Sequence, residues 1–208
     1  MLCLVTDRRR HAQPLDGLLR QAAHAIEAGV DLIQIRERDL EAAQLMAIAT
    51  AMLRVSRRTA TKVVINDRLD VAIAAGADGV HLRGDSFPVA AARRLAPADF
   101  LIGRSVRTTG DAIAAAGADY LIAGTVFPSA SKAGATSWMG PDGLRAIVRA
   151  TAIPVLAIGG VTLERLPEVA ATGAAGIAAI SLFADTPASD IVAAVRRQFD
   201  SAKRGFLT

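Results

Sequence analysis

Three side chains at the end of one apolar segment are of the types that bind an anion. The segment VDLIQIRER places Gln34, Arg36 and Arg38 two residues apart, and such residues share one face of a strand. A planar guanidinium stays charged at neutral pH and can donate two parallel hydrogen bonds to phosphate oxygens. The spacing therefore predicts an anion site, with the alternative that the two arginines pair with Glu37 or Asp39 at the rim.

A long loop with a single lysine predicts a further source of positive charge for an anion. The stretch PSASKAGATSWMG follows the apolar run LIAGTVF without a helical or strand period, although a simple connection needs only about two to six residues. Small residues let backbone N–H groups curl around an anion, and Lys132 adds a point charge beside Ser129 and Ser131. The alternative interpretation is an ordinary Ser/Gly-rich surface loop.

Two aspartates follow apolar segments in a pattern that suits a metal ion. Asp67 lies in NDR and Asp85 in GDS, and Mg²⁺ prefers carboxylate oxygens combined with those of a diphosphate. An aspartate just before a helix also serves as an N-cap, so both interpretations of Asp67 stay open. His81 has no histidine or cysteine partner at metal-ligand spacing, and we interpret it as a hydrogen-bonded histidine inside the fold.

Strands that alternate with helices must position these residues. The phrase AGVDLIQIR recurs as AGADGVHLR, AGADYLIAG and TGAAGIAAI, each with a glycine that fits a helix C-terminus before a short apolar strand. Together with LCLVTD, KVVIND, FLIGRS and IPVLAIGG, these phrases predict eight strands that start near residues 2, 31, 62, 79, 101, 120, 154 and 176. Amphipathic stretches such as LEAAQLMAIATAMLRV separate them, which predicts βαβ units and a parallel sheet.

We predict an α/β fold, a single (β/α)8 TIM barrel that forms one domain over residues 1–208. A doubly wound open sheet is the alternative, but it usually has a glycine-rich turn after its first strand, where this chain has VTDRRR. The active face of a barrel lies at the C-terminal ends of its strands, and the last two strands often hold a phosphate. This predicts a phosphate site at the strand ends IGG (158–160) and AIS (179–181), where Gly159 and Gly160 have no side chain to block its approach.

The composition argues against several other classes of protein. Of the 208 residues, 52% are hydrophobic and 4% aromatic, and the net charge is only +4. A nucleic-acid binder would concentrate basic and aromatic residues, whereas here the arginine triplet after the first strand and the later pairs are interpreted as solvated ends of elements. No apolar run approaches the length of a membrane span. The lone Cys3 cannot form an internal disulfide, which favours a cytoplasmic protein, and the sequence leaves a homo-oligomer open.

The motifs taken together resemble the thiamine phosphate synthase and thiazole tautomerase family. The resemblance runs from LVTD to GIAAISLF, practically the whole chain, through QIRER, INDR, GADGVHL, GRS, VFPSASK and AIGG in the family's order and spacing. A synthase of this family joins a hydroxymethylpyrimidine diphosphate to a thiazole phosphate, releases diphosphate and uses Mg²⁺. The resemblance therefore implies a transferase of thiamine biosynthesis that acts on small phosphorylated substrates.

The resemblance also implies, position by position, two groups of substrate-binding residues and a metal site. The pyrimidine diphosphate would be bound by Gln34, Arg36, Arg38, Asn66, Ser105 and Lys132. The thiazole phosphate would be bound by Ser129, Ala130, Ser131, Gly160, Ile180 and Ser181. Arg36, Ser105 and Lys132 would act directly in catalysis by stabilising the departing diphosphate. Asp67, assisted by Asp85, would hold Mg²⁺.

Two departures from the family pattern leave three functions open. Ser86 stands where the family has its second metal-binding aspartate, and Thr125 stands where the tautomerase branch has a proton-transferring histidine. The first hypothesis is the transferase. The second is a thiazole phosphate tautomerase whose base lies elsewhere, and the third is a non-catalytic paralogue that binds a thiamine intermediate. Release of diphosphate from the mixed substrates would distinguish the first from the other two.

Overall fold

Eight parallel strands close into a barrel within residues 1–128 and 138–204, the part of the chain that the computed structural model describes. Each strand pairs with the next along the chain, and the first also pairs with the eighth. They are β1 Leu2–Val5, β2 Leu32–Ile35, β3 Lys62–Asn66, β4 Gly79–Leu82, β5 Leu101–Val106, β6 Tyr120–Gly124, β7 Val155–Ile158 and β8 Gly176–Ala179. The predicted (β/α)8 barrel is confirmed, and the open-sheet alternative is wrong.

Helices lie between successive strands and after the last one. They are α1 Pro14–Ala28, α2 Ala42–Ser56, α3 Leu69–Ala74, α4 Val89–Leu95, α5 Thr109–Ala114, α6 Gly140–Arg149, α7 Leu166–Ala170, α8 Leu182–Asp185 and α9 Ala188–Arg204. The longer helices are amphipathic, and α1 begins with proline, whose missing N–H would have no partner in a first helical turn. In the described ranges, every helix is too short or too polar to span a lipid bilayer.

Two apolar layers stabilise the barrel. In the outer layer, strand side chains such as Ile33, Ile65 and Ile102 pack against the helices and are fully buried. In the inner layer, alternate side chains, among them Cys3 and Tyr120, fill the inside of the barrel. Because both faces of each strand are buried, the strands are continuous apolar runs rather than alternating ones.

The repeated phrase AG(V/A)D controls the connection from helix to strand. The glycines of its first three copies have positive φ values of 86°, 65° and 88°, which confirms their predicted left-handed conformation. The aspartates then accept hydrogen bonds from backbone N–H groups of the preceding strand, at 2.6 Å for Asp31, 2.8 Å for Asp78 and 2.7 Å for Asp119. These carboxylates satisfy strand donors at the end of the barrel that lies away from the predicted site.

Arg8 joins the C-terminal ends of β1 and β2 through two carboxylates. The buried Glu37 accepts hydrogen bonds from the Thr6 hydroxyl at 2.7 Å and from Arg8 Nη1 at 3.1 Å. Arg8 also donates two hydrogen bonds of 2.7 Å to Asp39, and these lower the pKa of Asp39 to about 2. The Thr6 hydroxyl in turn accepts from the Arg36 backbone N–H at 2.9 Å, so the network fixes the backbone beside the predicted anion site.

This network overturns two interpretations of the sequence. The alternative that Glu37 and Asp39 neutralise Arg36 and Arg38 is wrong, because Arg8 pairs with both carboxylates. The description of the arginine triplet as solvated is wrong for Arg8, whose side chain is only 15% exposed. Arg8 and Glu37 are 29 residues apart in the sequence, and no local pattern reveals a pair formed across two strands.

We predict that removing the Glu37 charge destabilises the protein far more than removing that of Asp39. Glu37→Gln places an amide against the buried donors of Thr6 and Arg8, and we expect the free energy of unfolding to fall by about 2 kcal/mol. Asp39→Asn changes an exposed partner and should have a much smaller effect. Urea denaturation measures both losses, and equal losses would contradict the role given to Glu37.

Candidate active site

One cavity of about 770 Å³ opens at the C-terminal ends of the strands, within the size range of small-molecule sites. Nine of the predicted site residues line it: Gln34, Arg36, Arg38, Asn66, Asp85, Ser105, Gly160, Ile180 and Ser181. Asp67 borders a smaller adjoining depression instead. The predicted residues Ser129, Ala130, Ser131 and Lys132 lie outside the described residues. The barrel thus brings distant segments to one place, while the roles of these residues stay predictions.

Gln34 and Asn66 form a polar edge on the neighbouring strands β2 and β3. Gln34 Nε2 donates to Asn66 Oδ1 at 2.9 Å, and Gln34 is 3% exposed. This bond uses the Asn66 oxygen, so the Asn66 amide N–H groups and the Gln34 oxygen remain available to a ligand. The pair can therefore recognise a donor and an acceptor on the same heterocycle.

Arg36 and Arg38 place two positive charges on the same wall. Arg36 is half-buried and Arg38 is exposed, and in the described part of the chain neither guanidinium forms an ion pair. Burial lowers the pKa of Arg36, and repulsion by Arg38 lowers it further. An anion bound beside the two arginines would offset both unfavourable effects.

Ser105 extends from β5 into the cavity and contacts a buried histidine. His81 Nε2 lies 2.8 Å from the Ser105 hydroxyl oxygen, and His81 Nδ1 lies 3.1 Å from the Tyr120 hydroxyl. Burial lowers the pKa of His81 to about 3, so the imidazole is neutral at physiological pH. The prediction of a hydrogen-bonded histidine is confirmed.

A backbone turn after β7 forms the wall opposite the arginines. Gly159 and Gly160 have φ values of 97° and 64°, which disfavour any other residue. A Cβ atom on Gly160 would lie 2.2 Å from the Pro128 carbonyl oxygen, so the close approach also needs glycine. Arg165 supports the turn by donating to the Gly160 carbonyl at 2.8 Å while its guanidinium stacks 4.6 Å from the centroid of the Phe127 ring.

The two predicted metal ligands share one arginine. Arg83 Nε lies 3.1 Å from Asp67 Oδ2, and Arg83 Nη2 lies 3.0 Å from Asp85 Oδ2. The helix α3 has no side-chain cap at its N-terminus, so the alternative that Asp67 is a helix cap is wrong. Asp67 also has a positive φ of 62°, an uncommon conformation for a residue other than glycine.

Asp67 and Asp85 suit a hard divalent cation, provided that Arg83 moves away from them. Mg²⁺ needs only one or two protein carboxylates when phosphate oxygens and water supply the other ligands, and Asp67 and Asp85 supply that number. No cluster of three or more acidic, histidine or cysteine side chains occurs among the described residues. Because the Arg83 guanidinium already contacts both carboxylates, a metal ion has to displace it.

Several charged residues of the cavity wall were missed by sequence reasoning. Arg107 and Asp111 line it, as do Arg9 and Arg10, which pair with Asp7 in the turn after β1. A signal was available, since the arginine triplet directly follows the C-terminal end of the first strand, where the chemistry of barrels is located. Arg9 and Arg10 add positive charge on the β1 side of the cavity, whereas Arg107 and Asp111 lie after β5.

A comparison with protein-family models identifies the family. The model described as thiamine monophosphate synthase matches residues 2–183. The chain belongs to this family. A thiamine-phosphate synthase of Methanospirillum hungatei is 44% identical over 181 residues, which are 86% of this chain and 87% of that one. Another, of Methanoregula boonei, is 46% identical over 177 residues, which are 84% of this chain and 81% of that one. A thiamine phosphate pyrophosphorylase from Pyrococcus furiosus superposes with a TM-score of 0.83 and 33% identity, covering 97% of this chain and 96% of that one.

These comparisons confirm the resemblance to the thiamine monophosphate synthase family and the prediction of a transferase of thiamine biosynthesis. More distant structures share the fold alone, such as a 3-keto-L-gulonate-6-phosphate decarboxylase from Vibrio cholerae with a TM-score of 0.73 and 19% identity over 97% of both chains. Among the described residues, no histidine of the cavity wall is free to act as the base that the tautomerase alternative requires. Of the three histidines in the chain, only His81 lines the cavity, and both of its ring nitrogens are hydrogen-bonded.

We predict a steeper loss of stability in acid for the natural protein than for His81→Gln. The pKa of His81 in the folded protein is about 3, against an ordinary 6.5, so between these values the unfolded state binds the extra proton. Above pH 6.5 the imidazole is neutral in both states, and the free energy of unfolding should not depend on it. Below pH 6.5 protonation of the unfolded state should lower the free energy of unfolding by up to about 1.4 kcal/mol per pH unit. Urea denaturation from pH 7 to pH 4 measures the slope, and parallel slopes would contradict a neutral buried His81.

Proposed function

We propose that this member of the family is a thiamine-phosphate synthase that joins hydroxymethylpyrimidine diphosphate to a thiazole phosphate. The supporting observation is one cavity with two walls of unlike chemistry. On one side are two guanidiniums that form no ion pair in the described ranges, and on the other is the backbone turn at Gly159 and Gly160. A reaction that expels a diphosphate and retains a phosphate needs both walls, whereas isomerisation of one phosphate ester needs only one.

The proposed reaction breaks one bond and forms another. The C–O bond between the pyrimidine methylene and the diphosphate breaks, and its electron pair leaves with the diphosphate. The thiazole nitrogen then donates its lone pair to the methylene cation, and the C–N bond of thiamine phosphate forms. Neither step transfers a proton, which agrees with a cavity whose histidine is buried and neutral.

Arg36 is the residue that we expect to stabilise the departing diphosphate most. The negative charge on the leaving group grows as the C–O bond breaks, so a fixed cation stabilises the transition state more than the ground state. The half-buried position of Arg36 strengthens this interaction compared with one in bulk water. Arg38 and the Ser105 hydroxyl would add hydrogen bonds to the same group, and the assignment of Lys132 to it stays a prediction.

The remaining predicted residues would hold the two rings and the retained phosphate. The amide edge of Gln34 and Asn66 offers both a donor and an acceptor, which suits an aminopyrimidine. The thiazole phosphate would bind at the opposite wall, where Gly160, Ile180 and Ser181 line the cavity. Ser129, Ala130 and Ser131 are assigned to this phosphate by the family resemblance only.

We propose Mg²⁺ as the cofactor, held by Asp67 and Asp85. When bound, the metal would neutralise charge on the diphosphate. Arg83 contacts both carboxylates, so a metal ion would have to release its guanidinium. The diphosphate would favour metal binding, because it supplies further oxygen ligands to the metal and an anionic partner to the released guanidinium. We therefore expect metal and diphosphate to bind together more tightly than either does alone.

The cytoplasmic location, the single domain over residues 1–208 and a homo-oligomer stay predictions. A cytoplasmic location is supported by the one cysteine, Cys3, which is buried and free. Small phosphorylated substrates also agree with an intracellular pathway, since phosphate esters do not cross membranes freely.

We predict that the protein releases diphosphate only when both substrates are present with Mg²⁺. Arg36→Gln should lower kcat/KM by about a hundredfold, the size of effect seen when one preorganised donor to a developing charge is lost. Arg94→Gln, which removes an exposed arginine on α4, is a control of equal charge and should leave the rate unchanged. A coupled assay for diphosphate measures all three proteins. Absence of release above the no-enzyme rate would reject the proposed function.

We predict that Arg83 competes with the metal for the two carboxylates. Arg83→Gln should tighten the binding of Mn²⁺, used as a paramagnetic substitute for Mg²⁺, by roughly three- to tenfold, because a partly exposed ion pair no longer has to be broken. Asp67→Asn should abolish most of this binding, and Asp85→Asn should weaken it. The EPR signal of free Mn²⁺, recorded with and without diphosphate, gives the dissociation constants. Unchanged binding in Arg83→Gln would show that the arginine does not occupy the metal site.

A further inference from the structure

A buried chain of hydrogen bonds leads from inside the barrel to the cavity. Tyr120 is 2% exposed and His81 is 1% exposed, and their contact is 3.1 Å between the hydroxyl oxygen and Nδ1. The other ring nitrogen of His81, Nε2, lies 2.8 Å from the Ser105 hydroxyl oxygen, which lines the cavity. Three neighbouring strands, β4, β5 and β6, thus supply one residue each.

The contact between His81 and Tyr120 across β5 depends on glycine at position 103. In the strand register His81 pairs with Gly103, and Gly103 pairs with Tyr120, so the three residues lie side by side. A Cβ atom on Gly103 would lie 2.1 Å from Tyr120 Cζ and 2.6 Å from His81 Nδ1. Glycine at this position therefore opens the space in which the tyrosine reaches the histidine across the intervening strand.

The burial of these groups determines the direction of each hydrogen bond. Burial raises the pKa of Tyr120, so its hydroxyl keeps its proton, and among the described residues the acceptor within reach is His81 Nδ1. A buried hydroxyl proton without an acceptor is costly, so Tyr120 donates to Nδ1. A neutral imidazole that accepts at Nδ1 carries its proton on Nε2, and this proton is donated to the Ser105 oxygen.

We propose that Tyr120 and His81 are positioning residues that make Ser105 a hydrogen-bond donor toward the diphosphate. Since the Ser105 oxygen accepts from His81, its own proton is free to point into the cavity, where the proposed leaving group would lie. The other tautomer of His81 would accept from Ser105 and turn the serine lone pairs toward the anion. The inference rests on the proposed function, because it assigns the donated proton to the departing diphosphate.

The position of the imidazole proton can be measured without any turnover. In protein labelled with ¹⁵N-histidine, the His81 resonances should show a protonated Nε2 and an unprotonated Nδ1. Tyr120→Phe keeps the ring beside Gly103 but removes the proton donated to Nδ1, so a clear fraction of the Nδ1-protonated tautomer should appear. An unchanged tautomer in Tyr120→Phe would overturn the proposal.

Kinetics test whether the chain acts through Ser105. We expect Tyr120→Phe to lower kcat about tenfold with little change in the KM of the thiazole phosphate, because a misdirected hydroxyl loses one hydrogen bond in the transition state. In a Ser105→Ala background the same substitution should have no further effect on kcat. Full additivity of the two substitutions would overturn the proposal, since it would mean that Tyr120 acts independently of the serine.

Two controls separate positioning from general destabilisation. The buried Thr61, just before β3, donates its hydroxyl proton to the Val30 carbonyl at 2.7 Å. Thr61→Val removes this hydrogen bond and should lower the melting temperature without lowering kcat. His81→Gln can still donate to Ser105 and should retain more activity than His81→Leu; equal losses would overturn the proposal. If the natural protein releases no diphosphate, the proposed function fails, and the tautomer comparison still decides whether Tyr120 sets the imidazole proton.

Discussion

Arg8 determines the charge of the cavity, because it removes two carboxylates from the surroundings of Arg36 and Arg38. Glu37 and Asp39 alternate with these arginines in the chain, and both form their ion pairs with Arg8 instead. The two guanidiniums on the cavity side therefore keep their charge for a ligand. Since this network links β1 to β2, the wall that carries the two arginines depends on correct pairing of these strands.

The fold and nine residues of the cavity wall were predictable, because both follow from periodicities within single elements. Alternation along β2 places Arg36 on the inner face, and the glycine phrase marks each helix end before a strand. The partners of charged and polar groups were not predictable. Arg83 bridges Asp67 and Asp85, and Tyr120 meets His81 only because the strands are in one particular register. Partner choice depends on distances between elements, which a sequence pattern does not contain.

The two walls of the cavity differ in the way that the proposed reaction requires. A leaving diphosphate gains charge during the reaction, so fixed cations and a fixed hydroxyl proton lower its barrier. A retained phosphate keeps its charge, and a turn of backbone at Gly159 and Gly160 can bind it without favouring one stage of the reaction. Positive charge on both walls would bind the substrates more tightly and add little to the rate.

The two ends of the barrel differ in how their charged side chains are arranged. At the N-terminal end, Asp31, Asp78 and Asp119 accept hydrogen bonds from strand donors, which stabilises the closed sheet. At the C-terminal end, Asp67 has a positive φ, and Arg36 and Arg38 repel each other. Such features cost free energy in the free protein and persist because the surrounding structure holds them in place. A bound diphosphate would compensate the repulsion, so the energy stored at this rim becomes binding energy for the proposed substrate.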